Sequence, residues 1–352
     1  MSKIERATIR IGVIGYGYWG PNVVRNFYHV PEATVTTVCD VNAASLDPVR
    51  RAYPSISVTT NPDDILKSPE IDAVAIVTPL AHHFHLAKAA LENGKSVFVE
   101  KPFTRTSAEA LELIELAERK HLMIMVDHTF LFNGAVRKMR ELIDQNTLGS
   151  LYYYDSIRVN LGRFQDDSNV VWDLAPHDLS IMDHLIGQEP RAIVATGENH
   201  VNGVEDVAFI TIYFHDKMIA HLNVSWLSPV KVRTTLIAGE KKMLVWNDLE
   251  ADEKIRVYDK GIEKAHGHHN GHGGSDDESR ELRVSYRAGD LWVPRIEQLE
   301  ALTLETRYFV ECMLNNTVPM NDGRAGLRVI QMLEAVDRSL SKKGNMVYVC
   351  AA

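Results

Sequence analysis

Asp173 and His177 stand four residues apart in the run Asn169-Val-Val-Trp172-Asp173-Leu-Ala-Pro176-His177-Asp178. On a helix that spacing puts both side chains on one face, where the carboxylate can orient the imidazole. Such a pair is a proton acceptor suited to neutral pH. Pro176 belongs early in the helix, where proline is tolerated. Polar residues ahead of an apolar stretch open the helix N-terminus on a cleft. A second candidate is Lys101, in Glu100-Lys101-Pro102. Pro102 keeps Lys101 out of helical geometry, so its ammonium can project from a strand end. There it can hydrogen-bond a substrate hydroxyl and help to accept its proton, or it can be a solvated lysine beside an acid. Serine or cysteine nucleophiles have no support: there is no GxSxG, and Cys39 falls in an apolar strand.

A second candidate site is written near the N-terminus. The apolar run Ile9–Ile14 leads into Gly15-Tyr16-Gly17-Tyr18-Trp19-Gly20. A buried parallel strand turning tightly into a helix has this pattern. Gly15 allows the sharp turn, Gly17 lets a pyrophosphate approach the backbone, and Gly20 lets the helix pack closely. The unpaired N–H groups of the helix's first turn attract phosphate. A second apolar strand, Val35–Cys39, ends in Asp40, twenty residues after Gly20, where a ribose-binding carboxylate belongs. A carboxylate there repels a 2′-phosphate, and Val41-Asn42-Ala43 add no cation. The cofactor expected is therefore NAD, not NADP.

These side chains need strand ends to hold them. Strand-like runs at Asp72–Val77, Ser96–Glu100 and Leu122–Val126 alternate with helices at His82–Glu92 and, capped by Thr106 or Ser107, up to Lys120. That alternation is a doubly wound parallel sheet, whose ligands bind beyond the carboxyl ends of the strands. Asp40, Thr78-Pro79 and Glu100-Lys101-Pro102 all lie at such ends and converge on one crevice. After about residue 150 the pattern becomes Leu151–Asn160, Arg191–Glu198, Val204–Phe214, Lys217–Leu227, Val232–Ala238 and Lys242–Trp246, joined by short connections. This is an α+β domain with an open, mostly antiparallel sheet. The expected domains are 1–127, a Rossmann cofactor domain, and 128–352, for substrate binding and oligomerisation. Val207–Phe214 is apolar on both faces, which predicts a homo-oligomer, a dimer or tetramer. Helices return at Leu299–Leu314 and Arg324–Leu340.

At 352 residues the chain is long enough for two domains. Its net charge of −9, with no Lys/Arg run, argues against nucleic acid as a partner. No apolar stretch is long enough for a bilayer, so no membrane partner is expected. Three scattered cysteines, with no CxxC, fit a reduced cytoplasm and no disulfide framework. Four histidines between His266 and His272 invite a metal reading, but they lie in the glycine-rich stretch 264–280, where nothing fixes their direction. A loop between strands, or one that closes over substrate, suits that composition better, and no metal is expected.

Gly15-Tyr-Gly17-Tyr-Trp-Gly20, Thr78-Pro79 with His83, Gly94-Lys95-Ser-Val-Phe-Val-Glu100-Lys101-Pro102 and Asp173-Leu-Ala-Pro-His177-Asp178 together resemble the glucose–fructose oxidoreductase and inositol dehydrogenase (Gfo/Idh/MocA) family, in order and over essentially the whole chain. The resemblance implies a catalytic lysine at Lys101, an Asp-x-x-x-His pair at Asp173 and His177, and the TPxxxH histidine at His83. It implies NAD contacts along Gly15–Gly20, including Tyr16, Tyr18 and Trp19, and at Asp40, Thr78, Pro79, His83, Glu100, Lys101 and Pro102. Substrate contacts fall on Lys101, Arg163, Asn169, Trp172, Asp173 and His177. One departure is Phe132-Asn133-Gly134, where the family often has Phe-Asn-Pro. The runs Asn169–Ile181 and Tyr286–Pro294 are similar to members that oxidise C3 of a UDP-N-acetylglucosamine-type nucleotide sugar. Inositol or free-sugar oxidation, or NAD binding without catalysis, are the alternatives.

Overall fold

The computed structural model describes residues 8–162, 164, 168–264 and 284–349. The first sheet has six strands: β1 (Ile9–Ile14), β2 (Ala33–Cys39), β3 (Ser57–Thr59), β4 (Ala73–Ile76), β5 (Ser96–Glu100) and β6 (Ile124–Asp127). Neighbours pair in parallel in the order β3-β2-β1-β4-β5-β6. The helices α1 (Gly20–Tyr28), α2 (Asp47–Ala52), α3 (Asp63–Leu66), α4 (His83–Glu92) and α5 (Ser107–Lys120) alternate with them. Helical cover on both faces explains the uniformly apolar β4, buried at every residue. Thr106 caps α5 in a reciprocal box: its hydroxyl accepts from Glu109 N–H, and Glu109 Oε2 accepts from Thr106 N–H. Chain order reverses between β1 and β4, so the strand ends splay apart there and leave a crevice.

The second sheet has nine strands: β7 (Leu151–Leu161), β8 (Pro190–Glu198), β9 (Val207–Phe214), β10 (Ile219–Ser225), β11 (Leu227–Gly239), β12 (Met243–Asn247), β13 (Ile255–Lys264), β14 (Val284–Trp292) and β15 (Val347–Tyr348). Their order is β14-β13-β12-β11-β7-β10-β9-β8-β15, antiparallel except where β10 meets β7. β13, β14 and β15 were not anticipated from the pattern. β13 and β14 flank the glycine-rich stretch, whose residues 265–280 lie outside those described.

Four helices complete this half: α6 (Gly134–Asp144), α7 (Val170–Ile186), α8 (Ala301–Asn315) and α9 (Gly323–Ser341). In β9, Ala208, Ile210, Ile212 and Phe214 are buried, while Phe209 on the other face stays 43% exposed. α8 crosses back to the first sheet, where Phe27, Phe98 and Phe309 pack edge to face with centroids 5.5–5.7 Å apart. α9 lies against both sheets, and a Cβ on its Gly326 would press on Val126 and Phe103.

Two local expectations change. α7 begins at Val170, capped by the Asn169 side chain, so Pro176 lies inside the helix instead of in its first turn. Its ring removes the N–H that would bond the Trp172 carbonyl and loosens that turn. Gly134, where the family often has proline, starts α6 beneath the Glu297 carbonyl, which a Cβ would strike.

Candidate active site

The cofactor side of the crevice is made mostly of backbone. Gly15 sits at φ +103°, and a Cβ there would run into the Val77 carbonyl. Its N–H donates to the Cys39 carbonyl at 2.8 Å, which locks the turn to the end of β2. One residue on, Asp40 Oδ2 accepts the Tyr16 N–H at 2.7 Å, and Oδ1 accepts the Asn42 N–H at 2.8 Å. The carboxylate is thereby fixed at the strand end. A Cβ on Gly17 would meet nothing within 4 Å, and no side chain caps the N-terminus of α1. Gly20 packs on the Gly15 carbonyl, so its missing Cβ serves the turn itself. Tyr16 is buried, while Tyr18 stands 89% exposed at the mouth.

The crevice holds about 830 Å³. Its walls bring Gly17, Tyr18 and Trp19 together with Thr78, Pro79, Glu100, Lys101, Pro102, Asn169, Trp172 and Asp173. The Lys101–Pro102 peptide is cis. His83 does not line the crevice. It is 1% exposed, with Nδ1 2.8 Å from the Pro102 carbonyl and Nε2 2.8 Å from the Thr78 carbonyl. Burial holds it below the usual histidine range despite those carbonyls. A neutral ring has one N–H and donates to one carbonyl at a time. His83 therefore pins two crevice loops together, in place of the direct cofactor contact expected of it.

On the opposite wall, Lys101 Nζ donates to the Asp173 backbone carbonyl at 3.1 Å and lies 3.9 Å from Asp173 Oδ1. Asp173 Oδ2 accepts the Trp226 indole N–H at 3.0 Å. The Asp173 carboxylate is thus engaged by Lys101 and Trp226 and does not hydrogen-bond His177, contrary to the orienting contact expected from their spacing. His177 lies one turn further on, its ring 5.0 Å from that of Phe130. Burial first, then the cations Lys101, Arg158 and Arg233, hold it well below the usual histidine range. It is a neutral imidazole at physiological pH. Arg158 leans on the same Phe130 ring at 4.7 Å and pairs with buried Asp178 at 2.6 Å.

Two residues expected to contact substrate also bond to the protein itself. Asn169 Oδ1 accepts the Trp172 N–H at 3.1 Å, and its Nδ2 donates to Glu205 at 3.0 Å. The Trp172 indole donates to Asp337 at 2.7 Å. Both side chains line the crevice, but as a braced wall. Arg163 lies outside the described residues. Arg105 and Asp337, also on the walls, and Trp226 behind Asp173 were not foreseen. Nor was Asp127, although it ends an apolar strand as Asp40 and Glu100 do, and that rule could have found it. Among the described residues no group of three His, Cys, Asp or Glu is placed to hold a metal ion, and no helix is long and apolar enough to cross a membrane.

Residues 9–128 match the model of an oxidoreductase family with an NAD-binding Rossmann fold, and residues 136–245 match the GFO/IDH/MocA C-terminal domain. The chain belongs to the Gfo/Idh/MocA family. It is an NAD-dependent oxidoreductase with the two-sheet architecture of this family. A UDP-N-acetylglucosamine 3-dehydrogenase of Acidithiobacillus ferrooxidans is 28% identical over 335 residues, 92% of this chain and 94% of that protein. Its solved structure superposes with a TM-score of 0.77 at 25% identity, covering 95% and 98% of the two chains. An uncharacterized oxidoreductase of Escherichia coli is 32% identical over 194 residues, 51% of this chain and 54% of that protein. A scyllo-inositol dehydrogenase of Lactobacillus casei, solved with NAD(H) and scyllo-inositol, shares the fold at a TM-score of 0.78 and 20% identity, covering 98% and 100% of the two chains.

The residues present suit NAD. Gly17 leaves room for a pyrophosphate, the α1 N-terminus is uncapped, and Asp40 is held where a ribose would lie. Two buried oxygens on the crevice walls, Thr78 Oγ1 and Glu100 Oε2, have no hydrogen-bond partner.

Proposed function

We propose that this protein oxidises a secondary hydroxyl of a sugar to a ketone, and that the sugar is a nucleotide-linked N-acetylamino sugar of UDP-N-acetylglucosamine type, oxidised at C3. The observation that carries the reading is Lys101 Nζ, 3.1 Å from the Asp173 carbonyl, on the wall that faces the glycine turn. Bound NAD supplies the hydride acceptor. The chain's own part is to place the alcohol and to remove its proton. Lys101, steadied by Asp173, donates a hydrogen bond to the hydroxyl oxygen and stabilises the charge that grows there. Neutral His177 takes the hydroxyl proton; the two can exchange these roles. Asp173 sets Lys101 in place and is itself set by Trp226. The dinucleotide is held by the Gly15–Gly20 turn, Asp40, Thr78-Pro79 and Glu100-Lys101-Pro102. Placing alcohol and hydride acceptor side by side supplies much of the acceleration. The aligned UDP-N-acetylglucosamine 3-dehydrogenase supports the sugar assignment, because it matches along nearly the whole chain.

The test is to incubate the purified protein with NAD and, separately, UDP-N-acetylglucosamine, other nucleotide sugars, inositols and free sugars. NADH should form one-for-one with a product two hydrogens lighter, and only with the nucleotide sugar. NADH from inositol alone would replace the substrate assignment; NADH from none would end the dehydrogenase reading. Residues 1–127 serve the cofactor in this proposal, and 128–352 serve substrate and assembly. The half-open face around Phe209 supports a homo-oligomer. Light scattering should give a dimer or tetramer, and a clean monomer at micromolar concentration would refute it.

A further inference from the structure

One rim of the crevice is held together by α9. Glu334 and Asp337 stand three residues apart on that helix and share a face. Glu334 accepts the Ser107 N–H on Oε1 and the Ser107 hydroxyl on Oε2, each at 2.8 Å. Asp337 Oδ2 accepts the Trp172 indole N–H at 2.7 Å. One turn of α9 thus ties two segments to itself: the loop that leads from Lys101 into α5, and the start of α7. Arg105 lies in that loop, two residues before Ser107. Its backbone N–H donates to Glu109 Oε2 at 3.0 Å, so its place is fixed. Its side chain lines the crevice beside Ser168, Asn169 and Trp172, and its guanidinium has no hydrogen bond or ion pair among the described residues. The acids and bases on the described walls are Glu100, Lys101, Arg105, Asp173 and Asp337. Lys101 lies against Asp173. Burial pushes Glu100 well above the usual carboxylate range, and raises Asp337 as well. Arg105 is the one cation there with no acid in contact.

We propose that Arg105 is the residue that selects a nucleoside diphosphate: its guanidinium binds the diphosphate of the nucleotide sugar, while the sugar ring lies towards Lys101. The proposal rests on the nucleotide-sugar reading above and names the group that recognises the nucleotide half. A guanidinium is always charged, and its planar fork matches two phosphate oxygens at once. Beside it, Trp172 has its N–H engaged by Asp337, so only its ring face is left to offer, a plate for a base or a sugar. Lys101 and Arg105 are four residues apart, at most about 14 Å of chain. A sugar diphosphate held at Lys101 by its oxidised hydroxyl can span that interval. An inositol or a free sugar carries no charge and gains nothing from Arg105, so the cation separates the substrate classes. The pyrophosphate of NAD has a separate place at Gly17 and the uncapped start of α1. Arg105 is exposed, so its hold on an anion weakens as salt is raised.

The probe is UDP, titrated by calorimetry into the NAD-loaded protein. Arg105→Gln should bind it on the order of tenfold more weakly than the parent, the scale of losing one charge-assisted contact. Arg105→Lys should recover part of the loss, since it keeps the charge without the fork. Uridine, which has no phosphate, should bind the parent and Arg105→Gln alike, and so should NAD. With the nucleotide sugar as substrate the loss should appear in KM and not in kcat, because ground state and transition state lose the same contact. The side chain is exposed and bonded to nothing described, so these variants should fold. Equal UDP binding by the parent and Arg105→Gln overturns the proposal. So does a variant that loses as much affinity for NAD as for UDP, which would give the guanidinium to the cofactor, or a fall in kcat at unchanged KM. The two readings fail differently. NADH formed only from inositol removes the nucleotide-sugar assignment. Equal UDP binding, with NADH still formed from the nucleotide sugar, removes only the role of Arg105.

Discussion

On the cofactor wall of the crevice the working groups are backbone: the Gly15 turn, the uncapped start of α1, and N–H groups that hold Asp40 at 2.7 and 2.8 Å. On the wall that the proposal gives to the hydroxyl they are side chains gathered from far apart: Lys101 just beyond β5 and Asp173 from α7 line the crevice, with His177 one turn further along α7 and Trp226 at the end of β10 bonded to Asp173. A backbone site tolerates any side chain that leaves its φ/ψ and its open space alone. A side-chain site fails with a single atom. The two walls should therefore answer to opposite kinds of substitution, and the hydroxyl wall should give the larger effects on rate.

The largest effect is expected at Lys101 and His177. Alanine at either should lower kcat by roughly a hundredfold or more, about 2.7 kcal/mol of barrier, the scale of losing a general base. NAD affinity should hardly change. The double variant should cost less than the product of the singles, because groups acting as one unit are not additive. Steady-state kinetics with UDP-N-acetylglucosamine checks this. Near-normal turnover in both singles would move the chemistry elsewhere.

The cofactor wall gives the contrasting result. Gly15→Ala should lose about 3 kcal/mol of stability in urea unfolding, since its φ of +103° is strained for alanine and its Cβ meets the Val77 carbonyl. Gly17→Ala, with nothing within 4 Å, should stay within about 0.5 kcal/mol of the parent. It should nevertheless bind NAD on the order of tenfold more weakly, because the new methyl stands where the pyrophosphate approaches. Equal stability losses at both positions would remove the distinction.

A smaller shift is expected at Asp40. Asp40→Ser with Val41→Arg should move the NAD-to-NADP affinity ratio by on the order of tenfold toward NADP, by removing a repelling carboxylate and adding a cation for the 2′-phosphate. Calorimetry with both dinucleotides measures it. Tighter NADP binding by the unaltered protein would mean that Asp40 does not face the ribose.

How far each wall could be foreseen follows from the same division. The parallel sheet, the turn and Asp40 are local: strand, glycines and acid lie within some thirty residues, and their spacing carries the geometry. Lys101 and Asp173 could be named, but not their bond, because it joins the end of β5 to α7 across 72 residues. The His177–Asp173 contact failed for the same kind of reason. Helical spacing put the two side chains on one face, and Trp226, from another strand, competed for the carboxylate and won. His83 was placed on a crevice loop, but not its bonds to the Pro102 and Thr78 carbonyls, because Pro102 lies on another strand end. β13 and β14 were hidden because their alternation is interrupted by the glycine-rich stretch.

The smallest expected effect tests how the hydroxyl wall keeps its base neutral. Arg233 in β11 faces Arg158 in β7 in register, and both lie over Phe130, at 6.0 and 4.7 Å, while the His177 ring lies 5.0 Å from the same ring. Burial does most to hold His177 below the usual range, and Lys101, Arg158 and Arg233 add to it in that order. A base works in its neutral form, so kcat/KM should hold as pH falls past the ordinary histidine value and drop only further down. Arg158 cannot be removed cleanly, because it would leave Asp178 buried without its partner. Arg233 can: its side chain is 32% exposed and pairs loosely with Asp248 at 3.5 Å. Arg233→Gln takes one positive charge from the neighbourhood of His177, so His177 gains proton affinity and the acid limb of the profile moves to higher pH. Solvent and salt screen much of that charge, so the loss should be about twofold at the acid end and nil near neutrality, and it should shrink as salt is raised. An acid limb that stays in place, or moves lower, would mean that the group titrating in the profile is not His177.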